Sequence, residues 1–235
     1  EGEYAPGDVC TVVVKAIDPA GNVTREEIAD VKVYGLPEIS FDEELIGVSE
    51  SDELTAALIG ASAADSFGEQ LTVNASLESG SWSAGENIVI RLTATDGKGN
   101  ENHVDVDLRV YGTPEIGSAQ TLEFSVGDEI TPESMGVSAF DTFEGELSVS
   151  LSTVSGEQTA GSIMTIRASV TDITGNAATR DFAVKIYGAP RVSYDRAGLK
   201  VGEDPVADGA EKWLFAEAYD SFGQSLSVTA TLETG

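Results

Sequence analysis

Tyr34-Gly35-Leu36-Pro37-Glu38-Ile39 returns as Tyr111-Gly112-Thr113-Pro114-Glu115-Ile116 and again as Tyr187-Gly188-Ala189-Pro190-Arg191-Val192. The tyrosines at 34, 111 and 187 stand 77 and then 76 residues apart. Self-similarity at a fixed period decides architecture before any single residue does, so the chain reads as a tandem array. A module copied in series supplies length or multivalent contact more often than a unique catalytic pocket.

Two more landmarks keep the same phase. Asp18-Pro19-Ala20-Gly21-Asn22, Asp96-Gly97-Lys98-Gly99-Asn100 and Asp172-Ile173-Thr174-Gly175-Asn176 each precede a tyrosine. Asp65-Ser66-Phe67-Gly68-Glu69, Asp141-Thr142-Phe143-Glu144-Gly145-Glu146 and Asp220-Ser221-Phe222-Gly223-Gln224 each follow one. Every unit thus carries the same two acidic loops.

The segments between these loops alternate. In Asn87–Thr95, Ile88, Ile90, Leu92 and Ala94 fall on one face and Val89, Arg91, Thr93 and Thr95 on the other, the period-two pattern of a half-buried strand. After the Asp96–Asn100 turn, Val104, Val106, Leu108 and Val110 alternate with Asp105, Asp107 and Arg109. The pair predicts a β-hairpin in which Gly99 supplies a positive φ and Asp96 caps its own turn. The same pair is expected at 10–17 with 28–34 and at 163–171 with 180–187. Leu71, Val73, Ala75 and Leu77 predict a further strand, echoed by Leu147, Val149 and Leu151 and by Leu226, Val228 and Ala230. Short strands are expected near 58–64, 134–140 and 213–219. Only 50–58, 131–136 and 205–213 suit a helical turn, with Thr131-Pro132-Glu133 the clearest start signal. Many short strands separated by turn signals give the fold class: all-β, as tandem immunoglobulin-like antiparallel β-sandwiches in an extended array.

Composition narrows the function. With 13 basic and 41 acidic residues the net charge is −28, which repels nucleic acid and anionic lipid and favours cations. No apolar run reaches the ~20 residues of a membrane helix, so no membrane insertion is expected. The chain opens at Glu1 without a signal-like segment and reads as an internal piece of something longer. Its one cysteine, Cys10, aligns with Ile88 and Met164 and reads as a small buried hydrophobe. A unit of this length buries only roughly 60% of its chain surface, so contacts with neighbours should matter.

The order Pro-x-Ile, then Gly-Val-Ser-Ala-x-Asp before an acidic glycine loop, then Gly-x-x-Ile-x-Ile-Arg-x-x-x-Thr-Asp-x-x-Gly-Asn, then a valine-rich strand ending at Tyr-Gly, resembles bacterial immunoglobulin-like repeats of the hyalin-repeat type. Such repeats belong to large surface and secreted proteins, which implies an extracellular or cell-surface location. The resemblance places a C-terminal half-domain at 1–35, complete domains at 36–112 and 113–188, and an N-terminal half-domain at 189–235. It also implies that the loop after the second strand lies at the same end as the final hairpin turn. That would gather Asp65, Glu69 and Asp96 beside the linker Gly35–Glu38, and Asp141, Glu144, Glu146 and Asp172 in the next unit. Calcium takes 6–8 oxygens from such carboxylates and carbonyls, and cadherin-like arrays place it at domain joints. Calcium is therefore the candidate ligand, against plain turn chemistry; no other cofactor is implied.

Phe67, Phe143 and Phe222 are expected to plug a sandwich end or pack on a neighbouring unit, and Tyr34, Tyr111 and Tyr187 to pack at the joints. Trp82 aligns with Tyr4 and with Gln158, and a tryptophan exposed there could stack on a sugar ring. His103 falls on the polar phase of its strand, and no nucleophile has a credible base partner, so no enzyme activity is expected. The function expected is a non-enzymatic stalk or spacer, adhesin-like in setting. The alternatives are a module binding glycan or host protein, recognised by exposed aromatics such as Trp213 and Tyr219, and a filament subunit whose half-domains complete each other head to tail. The partners expected are neighbouring repeats of the same or another chain.

Overall fold

The computed structural model describes residues 3–194 and 216–229. Trp213, the stretch 205–213 and much of 189–235 lie outside the described residues. The chain divides after Gly112 into two compact units, with Thr174–Asn176 grouped with the first.

The first unit opens with an antiparallel hairpin of β1 (Val9–Ile17) and β2 (Val23–Lys32). The second strand starts earlier than the apolar pattern predicts, because pairing resumes at Ile17–Val23 directly after the turn. The register slips between Cys10 and Val12, beside Asp30 at φ 58°, so one extra residue bulges out of β2. Seven strands follow: β3 (Glu38–Ser40), β4 (Gly47–Ser49), β5 (Ser62–Ala64), β6 (Gln70–Leu71), β7 (Val73–Ser79), β8 (Asn87–Thr95) and β9 (Glu101–Tyr111). They form two sheets, in the orders β3-β5-β6 and β4-β9-β8-β7. The chain changes sheets at Thr72, between β6 and β7.

The core lies between these sheets, as the alternation in β8 and β9 requires. Ile88, Ile90, Leu92, Val106, Leu108 and Val110 are buried together with Val48 and Ile59. Leu77, on the same phase of β7, is exposed. One pairing departs from the all-antiparallel expectation: β4 runs parallel to β9, with Val48 opposite Val110. After β3 the chain crosses to the other sheet and joins its open edge in the direction of the final strand. No local residue pattern signals that crossing.

The second unit repeats this arrangement. Its strands are β10 (Glu115–Ile116), β11 (Glu123–Ser125), β12 (Ala139–Asp141), β13 (Gly145–Leu147), β14 (Ser150–Ser155), β15 (Ser162–Thr171) and β16 (Ala177–Tyr187), with α1 (Pro132–Met135) between β11 and β12. The sheets are β10-β12-β13 and β11-β16-β15-β14, and β11 is again parallel to the last strand. Beyond them β17 (Arg191–Ser193), β18 (Glu217–Tyr219) and β19 (Ser225–Leu226) form a three-stranded sheet.

The helical turn forms where its start signal stands. Thr131 Oγ1 accepts the Ser134 amide at 3.1 Å and Ser134 Oγ accepts the Thr131 amide at 2.8 Å, a reciprocal capping box, with Pro132 as first residue and Gly136 closing at φ 67°. At 50–58 no helix forms. Thr55 Oγ1 still accepts the Leu58 amide at 3.1 Å, but Leu58 stands where Ser134 does and cannot return the bond.

The two phases of β15 give the first prediction. Ile166 is buried and Ile163 is exposed. Ile166→Ala should cost about 2–5 kcal/mol by deleting packed methyl groups and leaving a cavity, and Ile163→Ala less than about 1 kcal/mol. Urea denaturation of the two variants checks this, and equal losses would contradict the alternation.

Candidate functional site: the module joint

In the first unit, the Asp65–Glu69 loop of the β3–β9 sandwich packs on the end of hairpin β1–β2. Phe67 meets Tyr34 edge to face, with ring centroids 4.9 Å apart and planes at 61°. Ser66 Oγ accepts the Gly35 amide at 2.9 Å. Lys32 Nζ lies 4.7 Å from the Phe67 centroid and Lys98 Nζ 5.3 Å from that of Tyr34, so ammonium groups flank the aromatic pair.

The second unit builds the same joint. Phe222 meets Tyr187 at 4.9 Å and 64°, and Ser221 Oγ accepts the Gly188 amide at 2.7 Å. Lys185 Nζ is 5.8 Å from the Phe222 centroid. An edge-to-face aromatic pair contributes about 0.5–1.5 kcal/mol beyond area burial, and an exposed cation–π contact about 0.5–1 kcal/mol.

Gly35 and Gly188 make the approach sterically feasible. A Cβ on Gly35 would fall 2.5 Å from Pro6 Cγ, and one on Gly188 2.5 Å from Ala160 Cβ. Both are closer than real Cβ atoms stand, and each obstacle sits just before an equivalent glycine, Gly7 or Gly161. Those two glycines are at φ 91° and 80°, and their amides bond Val33 O and Ile186 O at 2.9 and 2.8 Å. The strand end, the preceding turn and the next loop thus interlock through backbone, with no space for a side chain.

The acidic loops sit where the resemblance implies in the first unit: Ser66 and Lys98 bring both of them against Tyr34-Gly35. The carboxylates of Asp65, Asp96 and Asp141, however, are occupied by their own turns. Asp65 Oδ1 accepts the amides of Phe67 and Glu69 at 2.8 and 2.9 Å. Asp96 Oδ1 accepts those of Lys98 and Asn100 at 2.8 and 2.9 Å, and its Oδ2 accepts Asn100 Nδ2 at 2.7 Å. Asp141 Oδ1 accepts the amides of Phe143 and Glu144 at 2.8 and 3.1 Å, while Glu144 Oε2 accepts the Ile173 amide at 2.8 Å. Asp172 is buried, and Glu69 and Glu146 are exposed. Among the described residues no three His, Cys, Asp or Glu side chains are grouped so as to hold a metal ion. Asp65, Asp96 and Asp141 each turn inward to close their own loops.

The hairpin aspartates are electrostatically tuned by those bonds. At Asp18 the Asn22 side chain and amide lower the carboxyl pKa below its ordinary range. At Asp96 burial raises it, but donors from Asn100, Lys98 and Gly99 together outweigh burial and lower it overall.

Trp82 is not an exposed sugar platform. It packs against the core of the first sandwich, with its indole nitrogen buried. Tyr4 is exposed, and Gln158 donates instead to Asp128 O at 2.7 Å. His103 is exposed, as its phase predicts. The serine acceptor in the joint was not foreseen, although Ser66 and Ser221 recur after their aspartates and Gly35 and Gly188 after their tyrosines.

No protein-family model matches the chain. It is 26% identical over 213 residues to the pesticidal crystal protein Cry22Aa of Bacillus thuringiensis, covering 86% of this chain but only 29% of that protein's length. A solved Clostridium perfringens structure, the M60 catalytic domain with the CBM51-1 and CBM51-2 domains of ZmpB, aligns with 80% of this chain and 34% of its own at TM-score 0.28 and 11% identity. The protocadherin gammaB7 EC3-6 cis-dimer structure aligns with 92% and 68% at TM-score 0.24 and 14% identity. Alignments at these TM-scores carry no functional argument.

Two predictions follow from the carboxylates. Because turn amides occupy the resolved aspartates, melting curves in millimolar calcium and in excess chelator should coincide; a higher melting temperature with calcium would show a site that only a native-state ligand could create. The second concerns acid. A carboxyl with a depressed folded value stabilises fully above its ordinary value, here 3.8, and loses that contribution as pH falls through the lowered value. Asp18→Asn with Asp96→Asn should therefore flatten the fall in melting temperature below pH 3.8. An unchanged acid limb would contradict the tuning.

Proposed function

We propose that the chain is a non-enzymatic spacer segment of a bacterial extracellular or surface protein, whose partners are neighbouring repeats. The observation that carries this reading is the joint itself, built twice from the same four residue types: tyrosine, glycine, serine and phenylalanine. Glycine-to-serine anchoring and aromatic packing in both joints, with a buried Pro37 in the linker of the first, favour joints that resist swivel. The chemistry such a site offers is mechanical. The resemblance to hyalin-type repeats and the 26% identity to a Bacillus thuringiensis protein support the bacterial setting. The chain spans 29% of that protein, so the activity in its printed name is not carried over.

Solution scattering tests the reading. The wild-type chain should give one well-defined distance distribution, and Phe67→Ala with Phe222→Ala should broaden it while both sandwiches keep their melting temperatures. An unchanged distribution would overturn the mechanical role. Saturable binding of the wild-type chain on a glycan array would instead favour the recognition reading.

A further inference from the structure

Two loops with the same backbone carry different side chains. Gly80-Ser81-Trp82-Ser83-Ala84-Gly85 joins β7 to β8 in the first sandwich, and Gly156-Glu157-Gln158-Thr159-Ala160-Gly161 joins β14 to β15 in the second. Their hydrogen bonds match one for one. Ser83 N donates to Ser81 O and Thr159 N to Glu157 O, both at 2.8 Å; Glu86 N donates to Ser83 O at 3.2 Å and Ser162 N to Thr159 O at 3.1 Å; Gly85 N donates to Val110 O and Gly161 N to Ile186 O, both at 2.8 Å. The flanking glycines match too, at φ 87° and 85° for Gly80 and Gly156 and at 85° and 80° for Gly85 and Gly161. Trp82 and Gln158 therefore leave equivalent backbone positions.

Trp82 folds onto the core of the first sandwich, and its buried indole N–H has no hydrogen-bond partner among the described residues. Gln158 instead donates its Nε2 to Asp128 O at 2.7 Å, and a cleft of about 440 Å³ opens beside it. Ile130, Leu151, Met164 and Ile166 give the cleft apolar walls, and Gln158 and Thr153 add polar groups. Met164 and Ile166 stand where Ile88 and Ile90 do, and are 7% and 4% exposed against 2% and 0%. Changes in the surrounding core do not close it. Leu151 opposite Ala168 replaces Ala75 opposite Leu92, an exchange that conserves volume. Phe124 and Phe182, larger than their counterparts Val48 and Val106, do not line the cleft.

We propose that this cleft binds a small planar heteroaromatic molecule of the indole class, which takes the place that the Trp82 side chain fills in the first sandwich. A ring entering a space where the sister core carries a ring recovers dispersion contacts, as benzene does in an engineered apolar cavity. The volume falls within the ~300–1,000 Å³ of small-molecule sites. Met164 offers its thioether to the ring edge. The Gln158 carboxamide oxygen can accept a ring N–H, the bond that Trp82 lacks. The inference is independent of the spacer reading, since it concerns the interior of one unit rather than the joints.

The test titrates the whole chain with indole, and with naphthalene, which has no N–H, while methyl and side-chain amide resonances are followed. Indole should shift Leu151, Met164 and the Gln158 amide saturably, as one site, and leave Ile88 and Ile90 unmoved. Gln158→Trp supplies the ring covalently and should abolish indole binding. Gln158→Ala keeps the cleft but removes the acceptor, so indole should bind roughly two- to tenfold more weakly, the worth of one hydrogen bond, while naphthalene binds as it does to the wild-type chain. No saturable shifts up to the solubility of indole, shifts spread equally over both sandwiches, or a folded Gln158→Trp chain that still binds indole would each overturn the proposal. Should Gln158→Trp not fold, Gln158→Ala decides, because an equal effect on the two ligands would overturn it as well.

Discussion

An aromatic pair and one backbone anchor tie each strand end to the loop that follows it in space, and the joints depend on this contact. Tyr187 ends β16 and Tyr34 lies just beyond β2, and the glycine after each leaves room for the next loop to press against the preceding turn. The serine hydroxyl then satisfies an amide that would otherwise lie half-buried without an acceptor. Such an unsatisfied amide costs about 1–3 kcal/mol, comparable to what the bond and ring contact contribute together. The serine therefore matters as much for preventing a penalty as for adding an attraction.

The loop can serve the joint because its aspartate has already fixed it. Asp65 and Asp220 each bind two amides within their own loop, which orients serine and phenylalanine outward. These loop aspartates thus act as local scaffolding. Surface pairs add less. Arg91 holds Asp105 with two bonds of 2.8 and 2.9 Å, and Arg167 holds Asp181 with bonds of 2.7 and 2.8 Å. In both pairs the arginine lowers the aspartate pKa. These are exposed cross-strand contacts whose worth is about 0–1 kcal/mol.

Period-two alternation made the long hairpins legible, because one buried face fixes which side chains point inward: Ile88, Ile90 and Leu92 are buried as their phase requires. Thr131-Pro132 was legible as a helix start because its capping partners lie three residues away. The parallel strands β4 and β11 were not, since their partners lie more than sixty residues on and no local pattern records them. Asp65, Asp96 and Asp141 illustrate a different limit. A carboxylate in a glycine turn suits a metal and a turn amide equally in sequence, and only the direction of its oxygens separates the two. At Trp82 the sequence leaves exposure open, since Tyr4 and Gln158 occupy its place elsewhere; its own loop folds it onto the core.

The most direct measurement is hydrogen exchange at the amides of Gly35 and Gly188, whose acceptors are the serine hydroxyls of the next loop. The account predicts protection at both in the wild-type chain. Ser66→Ala should abolish it at Gly35 alone, while the amides of β8 and the Gly188 amide keep their rates. Unprotected glycine amides in the wild-type chain, or Gly35 protection that survives Ser66→Ala, would contradict a joint held by this contact.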